Sequence, residues 1–338
     1  MTTTIGIIGL GQIGSSVGLA MRANGGSERV LGYDRDGAVA RSAEGMGAID
    51  ARASLSDVAR DSQIVFLCLP LGEIREVLQR IGPILQENTV VADTAPIKSQ
   101  MNQWMQELLP QGVHHLGLVP ALNPSMLAGN PPGIGAAHAK LFHRTIMMVI
   151  TSPKTPEAVE QLGMNIARLL GAKPMLTDLA ESDGIMTTAH ILPQLAAAAL
   201  IEACVAARGW TEARKLAGRP FTGVTGGMAY YDDPKSVKAA ALSNPERVVH
   251  GLDVLIASLR GLRDDISNQD GEGVGERLTH SYKAREQWLD ERNEAGWLSE
   301  GHEPVNLPGL GEQMTQMFFG GRIAEATRVL GEKRKGKG

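Results

Sequence analysis

The chain has 338 residues, 43% of them hydrophobic and 21% charged, as in an ordinary globular protein of about two domains. The formal net charge of −4 argues against nucleic acid or an acidic membrane surface as a partner. Two distant cysteines, Cys68 and Cys204, argue against a disulfide framework and a cysteine-rich metal site, so no metal is expected.

The sequence opens without the basic and apolar regions of a secretory signal, so we expect none. Its most apolar run, residues 192–207, is interrupted by Gln194 and Glu202 and is too short to cross a bilayer. We therefore expect a cytoplasmic protein without a membrane span.

Short apolar runs alternate with amphipathic stretches over the first half of the chain. We predict strands over residues 4–9, 29–34, 62–70, 88–94, 112–121, 144–152 and 173–178. Helices are predicted over residues 13–24, 72–85, 98–110 and 156–172. This alternation predicts an α/β fold, a doubly wound and mostly parallel sheet with helices on both faces.

Strand patterns stop near residue 178, and the rest of the chain has helical spacing. Helices are predicted over about 183–207, 245–268 and 272–296, which indicates an all-α C-terminal domain. We therefore divide the chain into domains 1–178 and 179–330 and expect the charged tail 331–338 to be disordered.

Three glycines follow the first predicted strand with the spacing G-x-G-x-x-G. Gly9 permits a tight turn, Gly11 lets a pyrophosphate approach the backbone, and Gly14 lets the next helix pack closely on the strand. The helix N-terminus, with Gln12 and Ile13, then offers free N–H groups to the phosphates. The pattern predicts a Rossmann-type dinucleotide site.

The second predicted strand ends at Asp34, twenty residues after Gly14. An acidic side chain there accepts hydrogen bonds from both ribose hydroxyls and repels a 2′-phosphate, which favours NAD. The adjacent Arg35 could instead pair with a 2′-phosphate, so NADP stays open. Leu69 and Pro70 follow a buried strand, and they either line the cofactor cleft or simply end that strand.

Four segments resemble the prephenate/arogenate dehydrogenase family, part of the 6-phosphogluconate-dehydrogenase-like group, over about residues 4–295. The first is the glycine-rich opening. The second, VVADTAPIKSQM, is similar to the family's Asp-x-x-Ser-x-Lys segment at Asp93 and Lys98. The third, SDGIMTTAHILPQL, resembles a family helix at Asp183 and at Leu192-Pro193. The fourth, FTGVTGGMAYYDDP, resembles a Phe-Arg-Asp-x-Thr-Arg…Asp-Pro segment.

The resemblance implies a Rossmann domain followed by a helical domain that forms a homodimer, with the active site in the cleft between the two domains. It implies hydride transfer to a nicotinamide cofactor. The implied substrate is a small cyclohexadienyl acid of tyrosine biosynthesis, and oxidation of its ring alcohol drives the loss of its ring carboxylate.

Several polar residues of the family are replaced here. Asn123-Pro124, or less closely Val119-Pro120, stands where the family has its catalytic His-Pro pair. Asparagine orients a hydroxyl or a water but does not accept a proton near neutral pH. The remaining replacements are Pro96 for a serine, Ile191 and Gln194 for two histidines, and Thr222 and Gly226 for two arginines.

His190 is the candidate general acid/base, because it lies on the helix that faces the cleft in the family and imidazole suits proton transfer near pH 7. Alternatively, it is a hydrogen-bonded helix histidine without a catalytic role. Lys98, which the nearby Asp93 would orient, is a candidate for holding a carboxylate or hydroxyl, unless it is a surface lysine at a helix N-terminus. Asp93 is also a candidate cofactor-binding residue. Asn123 is the third candidate catalytic residue.

Gln194, Asp183 and Arg219 are the candidate substrate-binding residues. Amides at 123 and 194 would suit a less charged substrate, and Arg219 is the candidate substitute for the missing arginines unless it is a solvated loop residue. The first functional hypothesis is an NAD(P)-dependent dehydrogenase of the resembled type. The alternatives are the same scaffold acting on a less charged hydroxy or keto compound, or a non-catalytic NAD-binding sensor.

Overall fold

The computed structural model describes residues 3–25, 29–127, 133–230 and 233–295. Within these ranges one sheet contains β1 (Thr4–Ile8), β2 (Arg29–Tyr33), β3 (Ala51–Arg52), β4 (Ile64–Leu67), β5 (Val90–Asp93), β6 (His114–Pro120), β7 (Thr145–Ile150) and β8 (Ala172–Leu176). The strand order is β3-β2-β1-β4-β5-β6-β7-β8. Strands β6 and β7 pair antiparallel, and the other neighbours pair parallel.

Helices cover both faces of this sheet, which confirms the predicted fold class. They are α1 (Gln12–Ala23), α2 (Gly37–Gly45), α3 (Leu55–Asp61), α4 (Leu71–Ile81), α5 (Lys98–Leu108) and α6 (Glu157–Leu169). One core includes Val17 of α1 and Ile166 of α6. The other includes Val58 of α3, Ile74 of α4 and Met101 of α5. The short elements α2, α3 and β3 were not predicted.

The rest of the described chain is helical, as predicted. It contains α7 (Leu179–Met186), α8 (Leu192–Ala206), α9 (Trp210–Leu216), α10 (Arg219–Thr225), α11 (Gly227–Tyr230), α12 (Pro234–Ser243), α13 (Pro245–Ser267) and α14 (Gly271–Glu294). The predicted boundary at residue 178 falls between β8 and α7, and the predicted tail 331–338 lies outside the described residues.

Helices α7 and α8 form one continuous helix through a π-helical turn at Thr187–Ile191. The joined helix Leu179–Ala206 has 28 residues and is long and apolar enough, by length and composition alone, to cross a membrane. The expectation that no segment reaches this length was wrong, because it counted only residues 192–207. Within the most apolar stretch of 18 residues in this helix, 17% is buried inside the described chain.

Side chains of the helical half, the described residues from 179 to 295, form hydrogen bonds with backbone groups at the carboxyl edge of the sheet. Asp183 of α7 accepts the Lys98 N–H at 2.6 Å, and Ser236 of α12 accepts the Gly72 N–H at 3.0 Å through its Oγ. Arg292 of α14 donates from Nη2 to the Leu122 carbonyl just after β6. The helices therefore lie over the edge at which open α/β sheets bind ligands.

Candidate active site

The three fingerprint glycines meet three different steric requirements. Gly9 has φ +91°, and a Cβ there would lie 2.4 Å from the Cys68 carbonyl oxygen. A Cβ on Gly14 would lie 1.9 Å from the Gly9 carbonyl oxygen, because α1 packs directly on the turn. At Gly11, no described atom lies within 4 Å of such a Cβ. Gly9 and Gly14 are therefore required by packing within the chain. Gly11 is not, and it leaves an open face on the loop.

Helix α1 begins at this open face. Its N-cap residue is Gly11, and no side chain caps the helix there. The first backbone N–H groups of a helix have no intrahelical acceptor, and together with the helix dipole they favour a bound phosphate. The residues present therefore fit a dinucleotide pyrophosphate at Gly11, Gln12 and Ile13.

Asp34 lies beside the glycine loop at the end of β2. Its carboxylate accepts the Leu10 N–H and the Asp36 N–H, each at 2.8 Å, one on each oxygen. The next residue, Arg35, pairs with Oε1 of Glu73 in the first turn of α4 at 2.5 Å. The acidic group thus faces the loop, while the neighbouring cation is paired with another side chain.

Leu69 and Pro70 follow β4 beside the same loop. The Leu69 side chain approaches within 2.8 Å of the position that a Gly9 Cβ would take, and Pro70 is the exposed N-cap residue of α4. Leu69 therefore borders the glycine turn, and Pro70 follows it at the start of α4.

A buried polar cluster lies at the end of β5. The Lys98 ammonium donates to Asp93 Oδ1 at 2.5 Å and to the Asp93 and Leu118 carbonyl oxygens at 3.1 Å each. His115 Nε2 lies 2.7 Å from Asp93 Oδ2. Lys98 and Asp93 are both 0% exposed. In the described chain no group of three or more histidine, cysteine or acidic side chains is arranged to hold a metal ion.

Charge pairing keeps Asp93 ionised inside the protein. Burial alone would raise the pKa of Asp93, but the Lys98 ammonium and the His115 ring together lower that pKa below its ordinary value. Burial lowers the pKa of Lys98, and the Asp93 carboxylate opposes this shift. The two side chains therefore form a mutually dependent buried ion pair.

Asp183 caps the N-terminus of α5 from the helical half. Its carboxylate accepts the Lys98 N–H at 2.6 Å and the Ser99 N–H at 3.2 Å, and the residue is fully buried. All three donors of the Lys98 ammonium are also satisfied within the protein. Lys98, Asp183 and Asp93 are thus fully buried and bound to protein groups, and a direct contact with substrate or cofactor would require these hydrogen bonds to break.

The side-chain amide of Asn123 is likewise hydrogen-bonded to neighbouring backbone groups. Its Oδ1 accepts the Ser125 N–H at 3.1 Å, and its Nδ2 donates to the Lys140 carbonyl at 3.2 Å. The amide joins the turn after β6 to the segment before β7. The predicted catalytic role of Asn123 is therefore not supported, because both ends of the amide bind protein.

The segment before β7 lies against α1. Gln12 Nε2 donates to the Ala136 carbonyl at 3.3 Å, and the Ser16 hydroxyl accepts the His138 N–H at 2.9 Å. His138 Nδ1 accepts the Lys140 N–H at 3.0 Å. The turn after β6 and the glycine loop are thus connected through one segment, a contact that no local sequence pattern indicated.

His190 lies half-buried in the π-turn between α7 and α8. Pro193 has no N–H to donate four residues back, and such a gap in the helical ladder favours a local change of winding. The Thr187 hydroxyl donates to the Asp183 carbonyl at 2.7 Å, and Gln194 Nε2 donates to the His190 carbonyl at 3.1 Å. Gln194 is 2% exposed, so it supports this turn from inside.

Two arginines differ in their surroundings. Arg219 is exposed at the first residue of α10, which packs against α8. Arg292, near the end of α14, is half-buried, and its Nε is enclosed without an acceptor among the described residues. Burial lowers the pKa of Arg292. Arg292 was not predicted as a site residue, because it lies in a strongly charged helix 170 positions from its acceptor, Leu122.

Two protein-family models match the chain. The prephenate dehydrogenase nucleotide-binding domain matches residues 17–176, and the prephenate dehydrogenase dimerization domain matches residues 178–280. A cyclohexadienyl dehydrogenase of Zymomonas mobilis is 26% identical, over 83% of this chain and 94% of its own length. A prephenate dehydrogenase of Bacillus subtilis is 23% identical, over 81% of this chain and 73% of its own length.

Solved structures share the fold. A prephenate dehydrogenase from A. aeolicus, in complex with hydroxyphenyl propionate and NAD+, superposes with a TM-score of 0.72 at 21% identity, covering 85% of this chain and 98% of that one. A Synechocystis arogenate dehydrogenase has a TM-score of 0.62 at 24% identity, covering 85% of this chain and 100% of that one. The sheet and the helical half are therefore arranged as in these enzymes.

Proposed function

Because the chain belongs to the prephenate dehydrogenase family, we propose that it oxidises a cyclohexadienyl acid, prephenate or arogenate, with NAD. The observation that carries this proposal is the glycine loop, which leaves an open face at Gly11 and the N-terminus of α1 while Asp34 is held beside it. Similarity to named dehydrogenases over more than 80% of the chain disfavours a non-catalytic sensor.

NAD is favoured over NADP by the groups at the end of β2. Asp34 would accept hydrogen bonds from the ribose hydroxyls and repel a 2′-phosphate. Arg35 would have to leave Glu73 before it could bind that phosphate. Leu69 and Pro70 would border the bound cofactor. When bound, NAD accepts a hydride from the carbon that carries the substrate hydroxyl.

His190 is the proposed group that takes the proton from that hydroxyl. Gln194 supports the turn that carries His190. Lys98, Asp93 and Asp183 position β5, α5 and α7 around the cleft, and Arg219 is a proposed contact for a substrate carboxylate. Loss of the hydride and proton converts the ring alcohol to a ketone, which makes loss of the ring carboxylate favourable.

The helical half is the proposed homodimer interface. Large apolar side chains on its helices are exposed, including Val205, Val254 and Leu259 at 52%, 55% and 57%. A second copy packed against these helices would cover their exposed apolar side chains. We assign residues 1–178 to cofactor binding and 179–330 to substrate binding and dimerisation, and we propose a cytoplasmic location without a membrane or nucleic-acid partner.

The test is the rate of nicotinamide reduction by the purified protein, with NAD and NADP offered separately and with prephenate or arogenate as substrate. We expect turnover with NAD, and we expect His190→Ala to lower kcat by about 10²–10⁴-fold, the usual contribution of a general base. His280→Ala, at an exposed position on α14, is the matched control and should change nothing. Tight NAD binding without turnover of either acid would overturn the proposal.

A further inference from the structure

We propose that Arg292 binds a carboxylate of the substrate, an inference that rests on the proposed function. Helix α14 ends at Glu294 and contacts the turn Pro124–Met126 that follows β6. The Arg292 guanidinium donates to the Leu122 carbonyl, two residues beyond the end of β6. The helical half thus places the guanidinium of Arg292 at the carboxyl edge of the sheet, where open α/β sheets bind ligands.

The guanidinium has unused hydrogen-bonding capacity. Its Nε is enclosed by protein and has no acceptor among the described residues, and the only protein acceptor described for its five N–H donors is the Leu122 carbonyl. Enclosed cations are ordinarily paired, because leaving one unpaired is costly. A ligand carboxylate would supply the missing acceptor, and the planar fork of an arginine suits two parallel hydrogen bonds to such a group.

Hydrogen bonds connect the segments next to Arg292 to the helix that begins at the proposed cofactor site. Leu122 precedes Asn123, whose amide binds the Lys140 carbonyl. The same segment contacts Ser16 of α1 through the His138 N–H. A ligand held by Arg292 would therefore lie on the side of the cleft that also carries the glycine loop.

The other cations of the site are less suitable. The Lys98 ammonium is completely buried and has all its donors satisfied. Arg219 is exposed, so water solvates it, and its proposed contact with a substrate carboxylate would be the weaker of the two. Arg292 combines partial enclosure with unused donors, which strengthens a charge-assisted contact. The site should therefore prefer acids over their neutral analogues.

The first test compares Arg292→Gln and Arg292→Lys with the wild-type protein. Loss of a charge-assisted contact should raise the KM for prephenate by about 10–100-fold in Arg292→Gln, with partial rescue in Arg292→Lys. The Kd for NAD should stay within about twofold, and the melting temperature should stay within about 3 °C, because the arginine forms no ion pair within the described chain. Arg285→Gln, at an exposed position of the same helix, should be unchanged.

The second test does not depend on turnover. Hydroxyphenyl propionate and its neutral amide are titrated calorimetrically into the NAD-loaded protein. The wild type should bind the acid about 10–100-fold more tightly than the amide, and Arg292→Gln should lose this preference. A preference retained by Arg292→Gln, or no preference in the wild type, would overturn the role of Arg292. Absence of turnover alone would instead overturn the proposed function.

Discussion

The sheet half, the described residues before 179, and the helical half differ in how completely each covers its apolar side chains and pairs its charged groups within the chain. Among the described residues, only Met46, Leu127 and Leu176 of the exposed large hydrophobic side chains lie before residue 179. The remaining exposed ones all belong to the helices that follow. The sheet half therefore closes its core within one chain, whereas the helical half leaves apolar surface to be covered.

The same difference holds for charged groups. Lys98, at the junction of β5 and α5, has three acceptors and a buried carboxylate partner. Arg292, at the end of α14, has one backbone acceptor and an enclosed Nε without a partner in the described chain. The comparison teaches that the sheet half covers its apolar side chains and pairs its buried lysine within one chain, whereas the helical half leaves apolar side chains and the Arg292 Nε without partners among the described residues.

The largest expected effect is at the buried ion pair. Asp93→Asn would leave the Lys98 ammonium buried without a charge partner and should reduce the free energy of unfolding by about 3–5 kcal/mol. The double variant Asp93→Asn/Lys98→Met should recover part of this loss, because no charge then remains unpaired. Urea unfolding measures the free energy of unfolding of both variants. The control is Asp57→Asn, which removes an exposed ion pair with Arg60 and should lower the free energy of unfolding by less than about 1 kcal/mol.

The same pair also sets a pH dependence. Because folding lowers the pKa of Asp93, its contribution is fully present above the ordinary aspartate pKa and is lost as the pH falls through the lower, folded value. Asp93→Asn should therefore lose stability less steeply than the wild type on acidification below about pH 4. Equal slopes in the two proteins would show that Asp93 is not stabilised by its partners.

The glycine loop separates scaffold from ligand site within the sheet half. Gly14→Ala places a Cβ against the Gly9 carbonyl and should reduce the free energy of unfolding by about 1–3 kcal/mol. Gly11→Ala meets no described atom and should leave stability nearly unchanged, yet raise the Kd for NAD on the order of tenfold, or about 1.4 kcal/mol. Thermal melting and NAD titration of both variants distinguish the two roles, and unchanged NAD binding in Gly11→Ala would argue against a pyrophosphate there.

The smallest expected change in the stability of the single chain is on the helical surface. Leu259→Glu, on the outer face of α13, should leave the fold intact and shift the protein from dimer to monomer at micromolar concentration, because a charge would be buried in the proposed interface. Sedimentation velocity reports the mass directly. Met46→Glu, exposed in the sheet half, should remain dimeric, and a monomeric wild type would contradict the interface.

The sequence predicts best where function depends on local pattern. The strand, glycine loop, helix and Asp34 are contiguous in the chain, and the structure has them as predicted. Elements α2, α3 and β3 escaped prediction because they are too short for their periodicity to show. The long helix over 183–207 was predicted across Pro193, but it begins four residues earlier, at Leu179. Its π-turn at Thr187–Ile191 was not predicted, because such a turn leaves no mark in the hydrophobic pattern.

The site itself depends on contacts between distant segments. The burial of Lys98 depends on Asp93, Leu118 and Asp183, and its spacing from Asp93 does not reveal whether the ammonium faces solvent or the interior. Arg292 resembles every other charged residue of α14 until its helix is placed beside Leu122. Such groups are found only from the folded chain.

A crystal structure of the protein with NAD and hydroxyphenyl propionate would test the account most directly. We predict the pyrophosphate against Gly11 and the N-terminus of α1, the adenosine ribose hydroxyls on Asp34, and the ligand carboxylate within hydrogen-bonding distance of Arg292. A dinucleotide bound away from the glycine loop, or a carboxylate held elsewhere, would contradict it.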